Sequence, residues 1–268
     1  MKKIISFLIV ISALNLALPA FAQIRLERFN ETLKVSPGQN IKGSIVLSSD
    51  SNETVDLRVY LQDVKFIPPF TGKKDFLPPG STPYSCSNWI TVTPGFLSIP
   101  PKGKKIVSYS INVPQDVKGW HCATIFFEKG AVALSGNNNV GVIERWGYTL
   151  FLENKEGVKK AEVGEFLGSG RRQINGTVVN TGETILIAAP DFSVMNDKGR
   201  VIDEGNIQQI FIPPGETAAI QMELTPKIHS GVDYTLVIKF DFFEGKPLTK
   251  KIKFSSEQGK SLKILSVE

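Results

Sequence analysis

The chain has 268 residues, of which 41% are hydrophobic, and its formal net charge is +5. This length suits two domains of ordinary size or one large β domain. The basic residues occur in small groups, which favours solvated turns and strand edges and argues against a nucleic-acid or membrane surface.

The N-terminal residues have the pattern of a targeting segment. Two lysines precede an apolar run at residues 4–18, and residues 20–22 form a small-x-small cleavage signal. This pattern predicts a secretory signal peptide over residues 1–22. The run is shorter than the roughly 20 apolar residues of a membrane span, and no later run is long enough. We therefore expect a periplasmic or secreted protein with no membrane span.

Apolar and polar residues alternate in most of the segments that follow. Val107, Tyr109 and Ile111, for example, alternate with small polar residues. A period of two predicts half-buried strands in antiparallel sheets, and proline-glycine or asparagine-glycine turns separate these segments. No stretch predicts an amphipathic helix, so the pattern is typical of β-sandwiches.

One pattern occurs twice, at residues 99–128 and 212–244. Each copy starts with Ile-Pro-Pro and a glycine turn, alternates, passes through a corner with glycine, and ends in Phe-Phe-Glu. The repeat predicts an all-β fold with two tandem immunoglobulin-like β-sandwich domains, at residues 23–153 and 161–268. Only the first copy carries an insertion, at residues 66–88, whose prolines exclude central strands.

The chain has two cysteines, Cys86 and Cys122. In an oxidising compartment such a pair most simply forms a disulfide. A redox pair or a metal site is the alternative, but the cysteines are far apart in sequence and the only histidines are His121 and His229. Zinc requires a fuller ligand set, so we expect the disulfide and neither metal nor cofactor.

The sequence contains no recognisable catalytic motif. A nucleophile elbow, a phosphate-binding glycine loop and an H-E-x-x-H helix are all missing from it. Its carboxylates fall at predicted turns and strand ends, where nothing brings two together for acid–base chemistry. We therefore expect a non-enzymatic binding protein with no catalytic residues.

The last predicted strand of the first domain, at residues 141–153, has apolar residues on both faces. One face carries Trp146, Tyr148, Leu150 and Leu152, and the other carries Ile143, Thr149 and Phe151. Either the sandwich and the second domain cover both faces, or the strand pairs with a guest strand through main-chain hydrogen bonds while side chains fill pockets. The candidate partner-binding residues are Ile143, Trp146, Tyr148, Leu150 and Leu152.

Several of these features together resemble the periplasmic P-pilus assembly chaperone family. They are the signal peptide, the two immunoglobulin-like domains, the Ile-Pro-Pro-x-Gly turn, the segment Val113-Pro114-Gln115-Asp116 and the long hairpin before the domain break. The resemblance implies that the last strand of the first domain donates apolar residues to a surface or pilus subunit, an exported protein. The alternative is a structural or adhesive cell-surface component that makes contact through the 66–88 loop.

Overall fold

The computed structural model describes residues 24–133, 141–225, 227–242, 247–257 and 259–268. The predicted signal peptide at residues 1–22, the predicted hairpin loop at 134–139 and the end of the second repeat at 243–244 lie outside the described residues. Within the described part of the chain, no helix has the length and apolar character needed to span a bilayer.

The described part of the first half forms a sandwich of two sheets. Its strands are β1 (Ile24–Leu26), β2 (Asn30–Val35), β3 (Asn40–Ser49), β4 (Val55–Phe66), β5 (Lys74–Leu77), β6 (Ile90–Thr93), β7 (Phe96–Ile99), β8 (Lys104–Asn112), β9 (Trp120–Ala133) and β10 (Gly141–Asn154). One sheet has the order β1-β3-β8-β6, and the other has the order β2-β10-β9-β4-β5 with β7 also paired to β4. Strand β2 runs parallel to β10, whereas β9 and β10 are antiparallel.

The second half forms another sandwich, in which the paired strands are antiparallel. Its strands are β11 (Ala161–Ser169), β12 (Gln173–Asn180), β13 (Leu186–Ala188), β14 (Asp191–Met195), β15 (Val201–Asn206), β16 (Ile210–Ile212), β17 (Thr217–Glu223), β18 (Asp233–Phe240), β19 (Leu248–Ser255) and β20 (Lys263–Val267). The sheets are β11-β12-β17, β13-β16 and β15-β14-β18-β19-β20. The predicted fold class of two tandem immunoglobulin-like sandwiches is confirmed.

The repeated pattern is one structural module in both domains. In the first copy β8 lies in one sheet and β9 in the other, and in the second copy β17 and β18 are divided in the same way. The glycine-containing corner therefore carries the chain from one sheet to the opposite sheet. The alternation predicted in β8 is present, because Val107, Tyr109 and Ile111 are buried in the core of the first sandwich.

The insertion at residues 66–88 fastens the two domains together. Strand β5 pairs with the end of β4 at the edge of the sheet, as its flanking prolines require. The Phe211 N–H donates to the Phe70 carbonyl oxygen (2.9 Å), and the Phe211 ring stacks on Phe66 at 5.6 Å. The Lys74 ammonium lies 4.2 Å from the centre of the Phe211 ring, and burial lowers the pKa of Lys74.

A buried carboxylate anchors the same insertion to β4. Asp63 is fully buried and accepts hydrogen bonds from the Thr82 N–H (2.9 Å), the Ser85 hydroxyl (2.6 Å) and the Ser87 hydroxyl (2.6 Å). Burial by itself raises the pKa of this carboxyl, but the donors from Ser85, Ser87 and Thr82 outweigh burial and hold the pKa below its ordinary value. The start of the insertion therefore contacts the second domain, and its end is hydrogen-bonded to β4.

The predicted disulfide between Cys86 and Cys122 is not formed, and the prediction needs correction. Both thiols are free and buried. Ser85 lies directly opposite Cys122 in a parallel bridge, so Cys86 is one residue out of phase and its side chain faces the other side of the sheet. Cys86 accordingly packs in the core of the first sandwich, whereas Cys122 packs in the cluster that continues into the second domain.

Candidate functional site

Strand β10 is paired along its whole length on one side only. On the β9 side the pairing runs from Gly141 to Glu153, with one irregularity between Val142 and Glu144. On the other side β2 pairs only with Thr149 to Asn154. Residues 141–148, called the free edge of β10 below, have no neighbouring strand on that side among the described residues.

The parity of the hydrogen bonds shows which backbone groups face outward. The Thr149 N–H donates to the Phe29 carbonyl oxygen (2.9 Å) on the β2 side. Because backbone groups alternate along a strand, the N–H and C=O of Arg145 and Gly147 point to that same side. They form a short row of donors and acceptors that no described strand pairs with and that an extended chain can reach.

The structure divides the predicted partner-binding residues between two environments. Tyr148, Leu150 and Leu152 are buried in the core of their own sandwich. Trp146 is half-buried against the end of that core, and Ile143 is 58% exposed on the opposite face. Only Trp146 and Ile143 therefore lie on the free edge in a position to touch a partner in this conformation.

Phe29 adds an apolar surface that the sequence analysis did not single out. It lies where β2 begins, and its side chain is 65% exposed. Its carbonyl oxygen is the last acceptor before the free edge starts, since it binds the Thr149 N–H. An isolated phenylalanine before a strand has no periodic signal, so sequence alone could not place it next to β10 at Thr149.

A polar cluster fixes the point at which β2 stops covering β10. The Glu31 carboxylate of β2 accepts from the Tyr148 hydroxyl (2.6 Å) and the Tyr109 hydroxyl (3.0 Å), and Arg28 pairs with it at 3.3 Å. Burial, together with the neighbouring Glu31 charge, raises the pKa of Tyr109 to about 12 and also raises the pKa of Tyr148. Both phenols therefore stay protonated as donors, which holds the register of β2.

Aromatic rings support the outer face of the free edge. The Arg145 guanidinium lies 4.8 Å from the centre of the Phe126 ring and 5.4 Å from that of Phe76. Phe126 in turn stacks on Tyr60 at 5.7 Å. A Cβ atom on Gly147 would come within 2.9 Å of Thr124, so a glycine is needed there for close packing. These contacts hold the free edge in place although no described strand pairs with its outward side.

The described residues offer no cluster that could bind a metal ion. Among them, no group of three His, Cys, Asp or Glu side chains could hold a metal ion. The His121 ring donates its Nε2–H to the Lys118 carbonyl oxygen (3.1 Å) and packs on the Trp89 ring at 4.3 Å. Its contacts are those of a residue at a sandwich corner.

The chain resembles fimbrial chaperones. It matches the Pseudomonas aeruginosa CupB2 chaperone with a TM-score of 0.48 and 12% identity, over 87% of this chain and 100% of that one. It matches a chain of the Salmonella enterica SafA pilin–SafB chaperone complex with a TM-score of 0.47 and 12% identity, over 85% and 96%. A chain of the Acinetobacter baumannii CsuC–CsuE chaperone–tip subunit pre-assembly complex gives 0.47 and 7%, over 86% and 98%.

The likeness to pilus chaperones predicted from the sequence is thereby confirmed. No protein-family model and no curated protein sequence matches the chain.

Proposed function

We propose that the chain is an exported, non-enzymatic chaperone that holds an extended segment of a surface or pilus subunit along the free edge of β10. The observation that carries this proposal is the row of outward backbone groups at Arg145 and Gly147, which no described strand satisfies. A guest strand added there would gain main-chain hydrogen bonds that do not depend on its sequence.

Side chains on both faces of the edge supply the apolar contacts that such a guest requires. Trp146 presents part of a large ring on the core-facing side, and Ile143 and Phe29 are exposed. Aromatic anchors of this kind contribute much of the binding energy at protein interfaces. Tyr148, Leu150 and Leu152 support the strand from inside the sandwich.

The edge is also ready for a guest without rearrangement. Pairing with β9, the Glu31 cluster and the rings under Arg145 hold β10 extended before any partner arrives. A preorganised strand loses little conformational entropy on binding. Charged residues at Glu144 and Arg145 oppose the indiscriminate pairing that an unprotected edge would invite.

The 66–88 insertion gives less support to the alternative of an adhesive surface component. Phe66 and Phe70 are buried, and the loop's backbone and aromatic contacts reach the second domain. The aromatic residues at the start of the insertion are therefore used inside the molecule, where they are not available to a surface receptor.

The test removes one outward backbone N–H from the free edge by a proline substitution. In Arg145→Pro the lost N–H faces away from β9, so the β9–β10 ladder keeps its bonds while the guest loses a donor. The matched control is Arg145→Ala, which removes the same guanidinium and retains the N–H. Both variants and the wild type are captured from periplasmic extracts, and co-purified exported proteins are quantified by mass spectrometry.

We expect the same exported subunit with the wild type and Arg145→Ala, and its loss with Arg145→Pro. Folding is checked in each variant by circular dichroism and thermal unfolding. Recovery of equal amounts with Arg145→Pro, or of no exported subunit with the wild type, would refute strand addition at this edge.

A further inference from the structure

A recess lies in the second domain, away from β10. It is a cleft of about 1080 Å³ between β15 and β17, and residues of the 66–88 insertion, Pro69 and Thr71, form part of its wall. Strands β15 and β17 are each the last strand of their sheet. The cleft therefore lies between two strand edges of one sandwich.

Strand β17 presents its unpaired backbone groups to this cleft. The Leu224 N–H donates to the Arg172 carbonyl oxygen (2.7 Å), which fixes even-numbered residues of this segment as those bonded to β12. By alternation, the N–H and C=O groups of Ala219, Gln221 and Glu223 face the other way. All three residues line the cleft.

Strand β15 does the same from the opposite wall. The Ile207 N–H donates to the Pro190 carbonyl oxygen (2.7 Å), so odd-numbered residues bond to β14. The backbone groups of Glu204 and Asn206 consequently face away from β14, and both residues line the cleft. Two rows of backbone donors and acceptors, with which no described strand pairs, thus border one recess.

The cleft is acidic although the chain has a net charge of +5. Glu165, Glu204 and Glu223 line it, and its described lining contains no lysine, arginine or histidine. No ion pair involves these three glutamates among the residues that the structure describes. Leu167, which is 64% exposed, contributes apolar surface to the cleft.

We propose that this cleft binds an extended segment of a partner protein that carries lysine or arginine, added as a strand along β17. The free N–H and C=O groups of Ala219, Gln221 and Glu223 pair with the backbone of the segment. Its basic side chains meet the uncompensated glutamates of the rim, and its alternate apolar side chains pack against the exposed Leu167. This site is separate from the subunit edge proposed for the first domain.

The experiment measures binding of labelled peptides to the full chain by fluorescence anisotropy. The probe is a peptide of about nine residues, the length of one strand, in which lysine alternates with valine. One control peptide has glutamate in place of lysine, and a second keeps the lysines but has proline at its centre. Binding is measured at low salt and at about 0.15 M salt, where exposed charges are largely screened beyond about 8 Å.

Three variants distinguish peptide binding in the cleft from non-specific electrostatic attraction to the protein surface. The double variant Glu204→Gln/Glu223→Gln removes rim charges, and Glu162→Gln/Glu216→Gln removes two exposed charges of the same domain outside the cleft. Gln221→Pro deletes an outward N–H and leaves the β12–β17 bonds in place. Thermal unfolding of each variant reports on its folding, and the charge variants keep the test valid if the proline variant misfolds.

We expect the lysine–valine peptide to bind, the rim variant to weaken binding about tenfold, and Gln221→Pro to abolish it. The outside-cleft variant and the wild type should agree within about twofold. The inference is overturned if the wild type does not bind the lysine–valine peptide, or if the glutamate or proline peptide binds equally well. Equal weakening by the two charge variants also overturns it, because binding would then be non-specific.

Discussion

Replacing Asp63 by alanine tests whether one buried carboxylate holds the insertion in place. Three donors converge on it at 2.6 to 2.9 Å: the Ser85 and Ser87 hydroxyls and the Thr82 N–H. Hydrogen bonds to a charged acceptor contribute about 1.5–3 kcal/mol each, so the three together are worth roughly 4.5–9 kcal/mol. Removing the carboxylate also relieves a desolvation cost of several kcal/mol, which leaves a net loss of about 3 kcal/mol.

The assay is equilibrium unfolding in urea, with Asp75→Ala as the control. Asp75 is an exposed aspartate of the same insertion, so its variant should unfold within about 0.5 kcal/mol of the wild type. Limited proteolysis should also cut Asp63→Ala faster at the exposed tip, residues 78–81. A loss below about 0.5 kcal/mol in Asp63→Ala would show that the hydroxyl cluster does not anchor the loop.

The pH dependence gives an independent check on the same carboxylate. The pKa of Asp63 in the folded chain lies below its ordinary value of 3.8. A lowered pKa stabilises the fold fully above the ordinary value, and this stabilisation is lost as the pH falls through the folded-state pKa. The difference in unfolding free energy between wild type and Asp63→Ala should be constant from neutral pH to about pH 5 and shrink below about pH 4. A difference that grows on acidification would contradict the assignment.

Three further predictions follow from packing. Reductant should leave the thermal unfolding temperature unchanged, since the Cys86 and Cys122 thiols are already free, and a clear drop would indicate a bridge. Gly43→Val should destabilise the first domain by about 1–3 kcal/mol in urea, because its Cβ would lie 2.2 Å from the buried Tyr109 ring; unchanged stability would mean that the ring moves freely. Phe211→Ala should cost about 3–5 kcal/mol and separate the unfolding transitions of the two domains, and a single unchanged transition in calorimetry would argue against the insertion as their link.

The sequence was sufficient to predict the sandwiches because buried and exposed positions alternate with the same period of two as the apolar and polar residues. Val107 and Ile111 are buried as their spacing predicts, and the repeated corner crosses between sheets in both domains. These properties are local, since each strand has one face toward its own core. The prolines of residues 66–88 predicted that no central strand lies there, and β5 pairs with β4 at the edge of its sheet.

The coverage of β10 could not be predicted, because it depends on a strand more than a hundred residues earlier. The parallel pairing of β2 begins at Asn30 opposite Thr149, so on that side residues 141–148 have no strand neighbour in the described part of the chain. The alternating pattern correctly placed Trp146 and Leu150 on one face, but it contains no information about where a neighbouring strand starts. Leu150 and Leu152 therefore fall in the domain's own core, while only the N-terminal half of the strand is open.

The cysteine prediction failed for a related reason. An even count indicates pairing only if the two side chains share a face, and sequence separation does not determine that. The bridge between Ser85 and Cys122 sets Cys86 one residue out of phase. A single-residue offset reverses the face of every side chain in a strand. The two cysteines are therefore neighbours in the backbone, but their thiols lie on opposite faces of the sheet.

The two copies of one fold differ chiefly in what they do with their strand edges. In the first domain the edge of β10 extends past β2 and is held rigid by rings and by Glu31. In the second, the edges of β15 and β17 border an acidic cleft whose wall includes part of the first domain's insertion. Because the two edges belong to different sheets, Arg145→Pro and Gln221→Pro each remove one outward N–H and each leaves the other edge intact. Loss of subunit capture in the first variant alone, and of basic-peptide binding in the second alone, would show that duplication produced two separate strand-binding surfaces.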